Sequence, residues 1–525
     1  MITHTMPTYH TLGSSRDGQR GGALLVMLVI LVIGITTAFV TSLSSTAISN
    51  QRNLSTAEAL AQAREALIGR ALNDDNLPGS LPCPDTDNDG SAELLSGNVC
   101  PSYIGRLPWR TLRLPDLRDG SGERLWYALS PNFRDDDSVR PLNSDALGML
   151  SLDDPSGNSI ASNIIAVVLA PGATLGGQVR GNANANTVTN YLEGDNANGD
   201  PTYIAGLVTD TLNDHLITIS GGDLWPSVEK VVGKRFRQLP LLNTYYTAWG
   251  AFPFAAPFVD PSLPFTDASK PFIGAANTYS GLLPMGAVWT GVPGYALAGG
   301  SAGVTCTLNP GYNGLADARA YCAISGIIGT PTISITGTLK GLRLWRLHDL
   351  SDVNQVQVRV SSVNFSASAV AGMSATLNKI LNADGSVTVT FTGTLVPGVE
   401  GIGLMDVVVD PSVDPVDPAY AWFTRNQWNR VMYYAISPGY APAGGNACTP
   451  LPGTPSCLTV NGSGGGNDKR AVIIMTSGAL ASQAAHPTGN LTDYLELENV
   501  TPADFIYENK TRSGTFNDQV IIVAP

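Results

Sequence analysis

The segment LWYALSPN, residues 125–132, recurs at an offset of 307 residues as MYYAISPG, residues 432–439. Both copies place aromatic and aliphatic residues directly before a Ser-Pro dipeptide, which predicts a buried strand that ends in a turn. A recurrence of this kind indicates that the chain contains two copies of one structural unit.

Three further blocks repeat in the same order and at nearly the same offset. The matched blocks are IAVVLAPGATLGGQ (165–178) with RAVIIMTSGALASQ (470–483), NYLEGDN (190–196) with DYLELEN (493–499), and TLNDHLITI (211–219) with TFNDQVIIV (515–523). Their offsets are 305, 303 and 304 residues. Four blocks with so little drift predict an internal duplication that covers most of the chain.

The second copy is interrupted by an insert. YSGLLP (279–284) repeats YIGRLP (103–108) at an offset of only 176, so roughly 131 extra residues lie between these blocks and the next ones. Two alternating stretches in the insert, residues 355–366 and 386–395, predict strands. We therefore expect a β-rich insert, preceded by a helix over residues 223–239 that opens the second copy.

These patterns predict six segments along the chain. They are a leader (1–21), a long helix (22–73), a first module (74–221), the start of a second module (222–284), the β-rich insert (285–421) and the remainder of the second module (422–525).

The composition limits the function classes. The 525 residues carry a net charge of −13, and only 14% of them are charged. An acidic surface argues against nucleic acid as a partner, because phosphate binding needs clustered Lys and Arg. The 56 glycines and 35 prolines favour a loop-rich, β-leaning fold.

The six cysteines fall into three local pairs. These are Cys83 and Cys100, Cys306 and Cys322, and Cys448 and Cys457. No pair has the CxxC spacing of a zinc ribbon or a redox motif. Their proximity favours three disulfides in an oxidising compartment, although six cysteines allow 15 connectivities and six unrelated thiols remain the alternative.

Residues 21–40 form an apolar run without a single charge. Twenty residues in a helix span about 30 Å, the thickness of a bilayer core. The run continues into an amphipathic stretch with Leu60, Ala63, Leu67 and Ala71 at helical spacing. We therefore expect one helix of about 50 residues that begins in lipid, rather than a cleaved signal peptide.

This N-terminus resembles that of type IV prepilins and type II secretion pseudopilins. In that family a basic leader ends in a glycine, here Gly21 or Gly22, and an uncharged helix follows. The usual Glu at the fifth mature position is replaced by Val26 or Met27, as in minor subunits placed at a filament tip. The hairpin stretch LRDGSGERLWYALSPN (117–132) is similar to a pseudopilin hairpin motif at Asp119, Gly122, Tyr127, Ser130 and Pro131.

The resemblance implies an α+β fold, in which a membrane-spanning helix precedes two pilin-like modules with antiparallel sheets. It implies cleavage after Gly21 or Gly22 by a prepilin peptidase, followed by methylation of the new N-terminus. The expected location is the inner membrane, with a single span and a periplasmic head, or a pilus or pseudopilus. The expected partners are other pilin or pseudopilin subunits, the inner membrane and the peptidase.

The segment DTDNDGSAE, residues 85–93, has the opening pattern of a calcium loop. Carboxylates at alternate positions converge on one ion, and Gly90 permits the sharp turn between them. The predicted ligands are Asp85, Asp87, Asp89 and Glu93. Ser96 stands where such loops place a bidentate Glu, so a solvated acidic turn is the alternative. A second group of carboxylates that could add ligands comprises Asp116, Asp119 and Glu123.

No catalytic motif is found in the sequence. It contains no G-x-S-x-G elbow, no P-loop and no paired histidines at metal-binding spacing. The Asn-Asp dipeptides at 213–214 and 517–518 occur at the same place in both copies, which favours a turn or strand-end role. We expect a non-enzymatic subunit of a pilus or secretion filament; the alternative is a membrane-anchored adhesin or binding protein that does not polymerise.

Overall fold

The structure is a computed structural model of the chain. It describes residues 19–136, 141–238, 241–262, 272–284, 288–309, 319–340, 357–361, 376–397, 401–406, 422–423, 425–448, 457–462 and 467–524.

The described helices are α1 (Gln19–Leu72), α2 (Gly221–Gln238) and α3 (Leu241–Trp249). The strands of the first half are β1 (Ile104–Arg106), β2 (Trp126–Leu129), β3 (Leu150–Asp153), β4 (Ser159–Ala170), β5 (Thr202–Ile204) and β6 (His215–Ser220). Those of the second half are β7 (Ser280–Leu282), β8 (Val288–Trp289), β9 (Gly294–Asn309), β10 (Arg319–Lys340), β11 (Gln357–Ser361), β12 (Thr376–Leu381), β13 (Val387–Thr394), β14 (Gly401–Asp406), β15 (Met432–Ile436), β16 (Thr459–Asn461), β17 (Ala471–Met475), β18 (Ile506–Glu508) and β19 (Gln519–Ala524).

Two sheets in the chain share one strand order. The first sheet contains the antiparallel path β1-β2-β4-β6, with β3 and β5 attached at the side of β4. The second sheet is the antiparallel path β7-β15-β17-β19. We call the first sheet with the C-terminal part of α1 module 1, and the second sheet with α2 module 2.

The two sheets also share their register. Tyr127 lies opposite Gly105 in module 1, and Tyr434 lies opposite Gly281 in module 2. The next strands agree as well, because Val168 pairs with Ile217 where Ile473 pairs with Ile521. These partners stand at the offsets of the sequence repeat, so one pairing scheme is present twice. The precise bounds of the six predicted segments stay a prediction.

One helix packs on each sheet, because each helix has an apolar stripe. In α1 the buried residues Ala59, Ala63, Leu67 and Ala71 recur every four residues and face β4 and β6. In α2 the buried residues include Leu224, Val228 and Val232, which face β17 and β19. The two helices also contact each other, and one hydrophobic core runs through both modules.

The segment between β7 and β15 forms its own seven-stranded sheet, in which β10 pairs with β8, β9, β13 and β14. The predicted β-rich character of this region agrees with the described strands. Its β12–β13 turn reaches module 2, since a Cβ added to Gly385 would lie 2.7 Å from a ring carbon of Phe254.

All three predicted disulfides are confirmed. The bonds join Cys83 to Cys100, Cys306 to Cys322 and Cys448 to Cys457. Cys306 and Cys322 lie directly opposite each other on β9 and β10.

The predicted α+β fold with a membrane-spanning helix and pilin-like modules is wrong. The described chain is rich in sheet, and no helix in it meets the length and apolarity that a membrane crossing needs. A charge-free run satisfies only one requirement of a span, since apolar helices also pack against protein. The predicted single-pass location in the inner membrane is corrected with it.

Candidate functional site

The loop after the first cysteine brings three carboxylates together. One oxygen from each of Asp85, Asp87 and Asp89 lies within 4.8 Å of the others. Asp85 is buried at 1% exposure, whereas Asp87 and Asp89 face solvent. Three of the four predicted metal ligands therefore share one site.

Backbone N–H groups hold the buried carboxylate in place. Asn88 N donates to Asp85 Oδ1 at 2.6 Å, and Gly90 N donates to Asp85 Oδ2 at 2.7 Å. Both donors lie on left-handed backbone, with φ of 66° and 89°. The Asn and Gly of the sequence tolerate this conformation, so the loop can wrap around its own first carboxylate.

Covalent and strand contacts fix both ends of the loop. The Cys83–Cys100 disulfide closes the loop. The backbone of Asp85 exchanges two hydrogen bonds with Arg106, the last residue of β1. The Arg124 guanidinium donates to the backbone and side-chain oxygens of Asn88 at 3.0 and 2.8 Å. The site is thus anchored to the edge of the module 1 sheet.

Burial, neighbouring charges and hydrogen bonds shift the pKa values of these aspartates in opposite directions. Burial raises the pKa of Asp85, and the negative charges of Asp87 and Asp89 add to this effect, while hydrogen bonds from Gly90 and Asn88 act against it. The Ser91 backbone and hydroxyl lower the pKa of Asp89. A buried carboxylate beside two more carboxylates is a place where a bound cation would relieve repulsion.

Glu93 is not brought to this group. Its Oε1 accepts hydrogen bonds from the backbone N of Thr86 at 3.0 Å and from the Thr86 hydroxyl at 2.5 Å. Glu93 therefore closes the loop instead of pointing at the three aspartates. Ser96, at the position of the absent bidentate Glu, exchanges backbone hydrogen bonds with Val99.

The second acidic group is used for local structure. Asp116 pairs with Arg118 and Arg124 at 2.7 and 2.8 Å. Asp119 accepts the backbone N–H groups of Ser121, Glu123 and Gly172. Among the described residues they do not join the group formed by Asp85, Asp87 and Asp89.

A cleft at the C-terminal end of α1 carries charges that pair with each other. Arg70 donates to Asp74 at 2.8 Å and to Asp135 at 2.7 Å. The described lining of this cleft contains no serine, histidine or cysteine. The hydroxyl of Thr111, which also lines the cleft, accepts the backbone N–H of Ala92 at 2.8 Å.

Sequence reasoning missed the chemistry of the two Asn-Asp dipeptides. They directly precede β6 and β19, in agreement with a strand-end role. Asp214 and Asp518, however, are buried at 4% and 1% exposure, each beside a buried glutamate. The signal was present in the repeat, because Glu193 and Glu496 also stand at equivalent places in matched blocks.

A scan against protein-family models finds no match to this chain, and neither do searches of curated proteins and of solved structures. The resemblance to type IV prepilins and pseudopilins is therefore corrected. Its hairpin positions have local roles that many folds can supply: Asp119 and Gly122 shape a turn, and the Tyr127 hydroxyl donates to Pro82 O at 3.3 Å. Gly21 and Gly22 lie within α1, and cleavage there stays a prediction without a test.

Proposed function

We propose that the protein is a non-enzymatic structural subunit that assembles with other helices through the N-terminal half of α1. In this function the two modules and the β-rich insert form a head that the assembled helices carry. The observation that carries the proposal is the contrast between the two halves of α1.

Near its start, α1 exposes the apolar side chains that the structure describes on all sides of the helix. The six consecutive residues from Val26 to Leu31 are between 45% and 76% exposed. Six residues pass more than once around a helix of 3.6 residues per turn, so this surface is not a single stripe. A helix that is apolar all round is normally buried, and large exposed apolar surfaces mark interaction sites.

The head begins near Arg52. A Cβ added to Gly120 would lie 2.2 Å from Arg52 O, and Gly120 N donates to the Thr56 hydroxyl at 2.9 Å. All described side chains from Val26 to Leu54 are exposed, whereas Ala59, Ala63 and Leu67 are buried in the head. The C-terminal part of the helix therefore packs in the head, whereas no described part of the chain covers the described side chains from Val26 to Leu54.

Sedimentation of the full chain tests this function. We expect the wild type to form defined oligomers and Ile30→Asp to be monomeric, because a charge on the apolar helix opposes its burial. The matched control is Leu207→Asp, which alters an exposed leucine (88%, against 64% for Ile30) on the head and should leave assembly intact.

Two results would contradict the proposal. One is a monomeric wild type at micromolar concentration; the other is an Ile30→Asp variant that still assembles. A monomer that binds a separate ligand through the insert would favour the alternative, a binding protein that does not polymerise.

We also propose that a hydrated Ca²⁺ binds at Asp85, Asp87 and Asp89. Ca²⁺ prefers oxygen ligands, and this loop presents three carboxylates on a restrained backbone. The fit is incomplete, since Glu93 is engaged with Thr86. We expect excess Ca²⁺ to raise the melting temperature, because a ligand that binds only the native state stabilises it.

The matched control for calcium is Asp87→Asn with Asp89→Asn. Both side chains are exposed, and an amide oxygen can accept the hydrogen bonds that each carboxylate accepts from the loop. The double variant should fold and lose the calcium-dependent shift. An identical shift in wild type and variant, or no shift on chelation of wild type, would retire the site.

A further inference from the structure

Module 1 contains a buried pair of carboxyl groups with an unusual distribution of hydrogen bonds. Asp214 Oδ2 accepts from Glu193 N at 2.9 Å and from Asn196 Nδ2 at 3.0 Å. Glu193 accepts from Gln178 Nε2 on Oε1 and from Asn213 N on Oε2, at 2.6 and 3.0 Å. Three of the four carboxyl oxygens therefore have donors.

Module 2 repeats this arrangement. Asp518 Oδ2 accepts from Glu496 N at 3.0 Å and from Asn499 Nδ2 at 2.9 Å. Glu496 accepts from Gln483 Nε2 on Oε1 at 2.8 Å and from Asn517 N on Oε2 at 3.0 Å. We call Glu193 with Asp214, and Glu496 with Asp518, the carboxyl pairs.

The fourth oxygen of each pair is buried and receives no donor from the described residues. These atoms are Oδ1 of Asp214 and Oδ1 of Asp518. All four residues are less than 9% exposed, and the described part of the chain contains no ion pair to any of them. Two adjacent buried carboxylates without a cation would repel each other strongly.

A metal ion fits this arrangement poorly. Ca²⁺ takes six to eight oxygen ligands, and Mg²⁺ demands an octahedron. Among the described residues no third His, Cys, Asp or Glu side chain joins either pair as a possible ligand, so two carboxyl groups would have to supply the shell alone. A proton needs only one oxygen as its carrier and one neighbouring oxygen as acceptor.

We propose that each carboxyl pair holds one proton at neutral pH, on Oδ1 of Asp214 and of Asp518, and that both modules lose stability when these protons leave. In each pair the protonated Asp is neutral and the Glu keeps its negative charge. Deprotonation transfers the proton to water or hydroxide and leaves two buried carboxylates side by side.

The surrounding charges support this assignment. Burial, and then the charge of Glu193, raise the pKa of Asp214 to about 8. Burial, and then Glu496, raise the pKa of Asp518, and Glu229 of α2 adds to the effect although Arg512 pairs with it. The Glu193 backbone N–H also donates to Asp214 Oδ2 at 2.9 Å, and the Asn213 N–H donates to Glu193 Oε2 at 3.0 Å, so short hydrogen bonds hold the two residues next to each other.

The sign of the pH dependence follows. The unfolded Asp has its ordinary pKa near 3.8, so between this value and about 8 the folded module 1 binds one more proton than the unfolded chain. The stability due to this proton is complete below the unfolded pKa and is lost as pH rises through the folded one. Each retained proton changes the unfolding equilibrium constant roughly tenfold per pH unit in this window.

Urea unfolding of the full chain at pH 5 and pH 7 tests the proposal. Between pH 5 and pH 7 we expect the unfolding equilibrium constant of wild type to rise. The rise should exceed that of Asp214→Asn or of Asp518→Asn by roughly 100-fold, because each variant lacks one titrating pair. The amide oxygen accepts the two donors of Oδ2, and the amide N–H replaces the O–H without titrating. The control Asp210→Asn removes an exposed charge and should follow wild type.

Substitution of the glutamate identifies the carrier of the proton. Both oxygens of Glu193 accept N–H donors, so Glu193→Gln places an NH₂ group against a donor and should destabilise at both pH values. Asp214→Asn should be tolerated. The reverse order of stability would overturn the assignment to Oδ1 of Asp.

Infrared spectroscopy gives a readout that does not depend on unfolding. The carboxylic-acid band of folded wild type at pH 7 should lose intensity in the double variant Asp214→Asn with Asp518→Asn, and should stay in Asp210→Asn. Equal bands in wild type and double variant, or an unchanged pH dependence of unfolding, would overturn the proposal.

Discussion

At position 90 the conformation of the acidic loop requires a glycine. Its φ of 89° requires left-handed backbone, and a Cβ at this position would lie 2.5 Å from Nε1 of Trp109. The backbone N–H that this geometry frees is the one that donates to Asp85 Oδ2. One glycine thus combines an unusual conformation, a close approach and a hydrogen bond to the buried carboxylate.

Gly90→Ala should lower the free energy of unfolding by more than the conformational cost of about 1–2 kcal/mol, because the indole of Trp109 must also move. Gly122→Ala is the matched control. Its φ is 86°, and no atom lies within 4 Å of an added Cβ, so it should show the conformational cost alone. Urea titration of both variants measures the difference; equal losses would contradict the role of Trp109.

At the scale of elements, α1 has two environments along one continuous helix. Leu67 is fully buried against the module 1 sheet, whereas Leu54 is 59% exposed. The hydrophobic stabilisation that the head gains from α1 therefore comes from its last turns. The described side chains from Val26 to Leu54 are exposed and add no buried surface to the head.

Leu67→Ala should destabilise the head by about 2–5 kcal/mol, since it leaves a cavity in the core. Leu54→Ala, in the same helix, should change stability by less than about 0.5 kcal/mol. Thermal and urea unfolding compare the two variants. Similar losses would mean that α1 is also packed against the head at Leu54.

At the scale of the whole molecule, His486 connects the modules. Its Nδ1 lies 2.6 Å from Asp145 Oδ1 of module 1, and its Nε2 lies 2.6 Å from Asp493 O. Asp145 Oδ1 and Asp493 O can both accept hydrogen bonds, so a protonated ring, with hydrogen on both nitrogens, can donate to both partners at once. It also stacks on Tyr494 at 4.0 Å.

The contact should strengthen at acidic pH. Burial opposes the charged ring, but the hydrogen bond and charge of Asp145, together with Asp493, outweigh it and raise the pKa of His486 above 6.5. Its contribution is therefore complete below the unfolded pKa and is lost as pH rises through the folded one.

His486→Gln should cost about 1.5–3 kcal/mol at pH 5.5, the value of hydrogen bonds to a charged group. The difference from wild type should shrink by pH 9. Unfolding curves at both pH values measure this, and a constant difference would show that the ring is neutral in the folded protein.

The sequence predicts strands and disulfides well where the signal is local. The alternation around Val387–Thr394 and the short spacing of Cys448 and Cys457 depend only on neighbouring residues. The contact of Asp214 with Glu193 could not be predicted, because it joins loops whose relative position is set by tertiary packing. The membrane prediction failed for a related reason: a charge-free run does not reveal what covers the helix.

The loops that lead to the β-rich insert leave from two strands that are hydrogen-bonded neighbours, since Leu282 of β7 lies opposite Tyr433 of β15. A polypeptide whose ends lie about one strand spacing apart, ~4.8 Å, could be joined to these strands, provided that it also replaces the contact of the β12–β13 turn with Phe254. In module 1 the equivalent strands β1 and β2 are joined without such a sheet between them. The position between β7 and β15 is therefore an insertion site, at which one inserted domain can be exchanged for another.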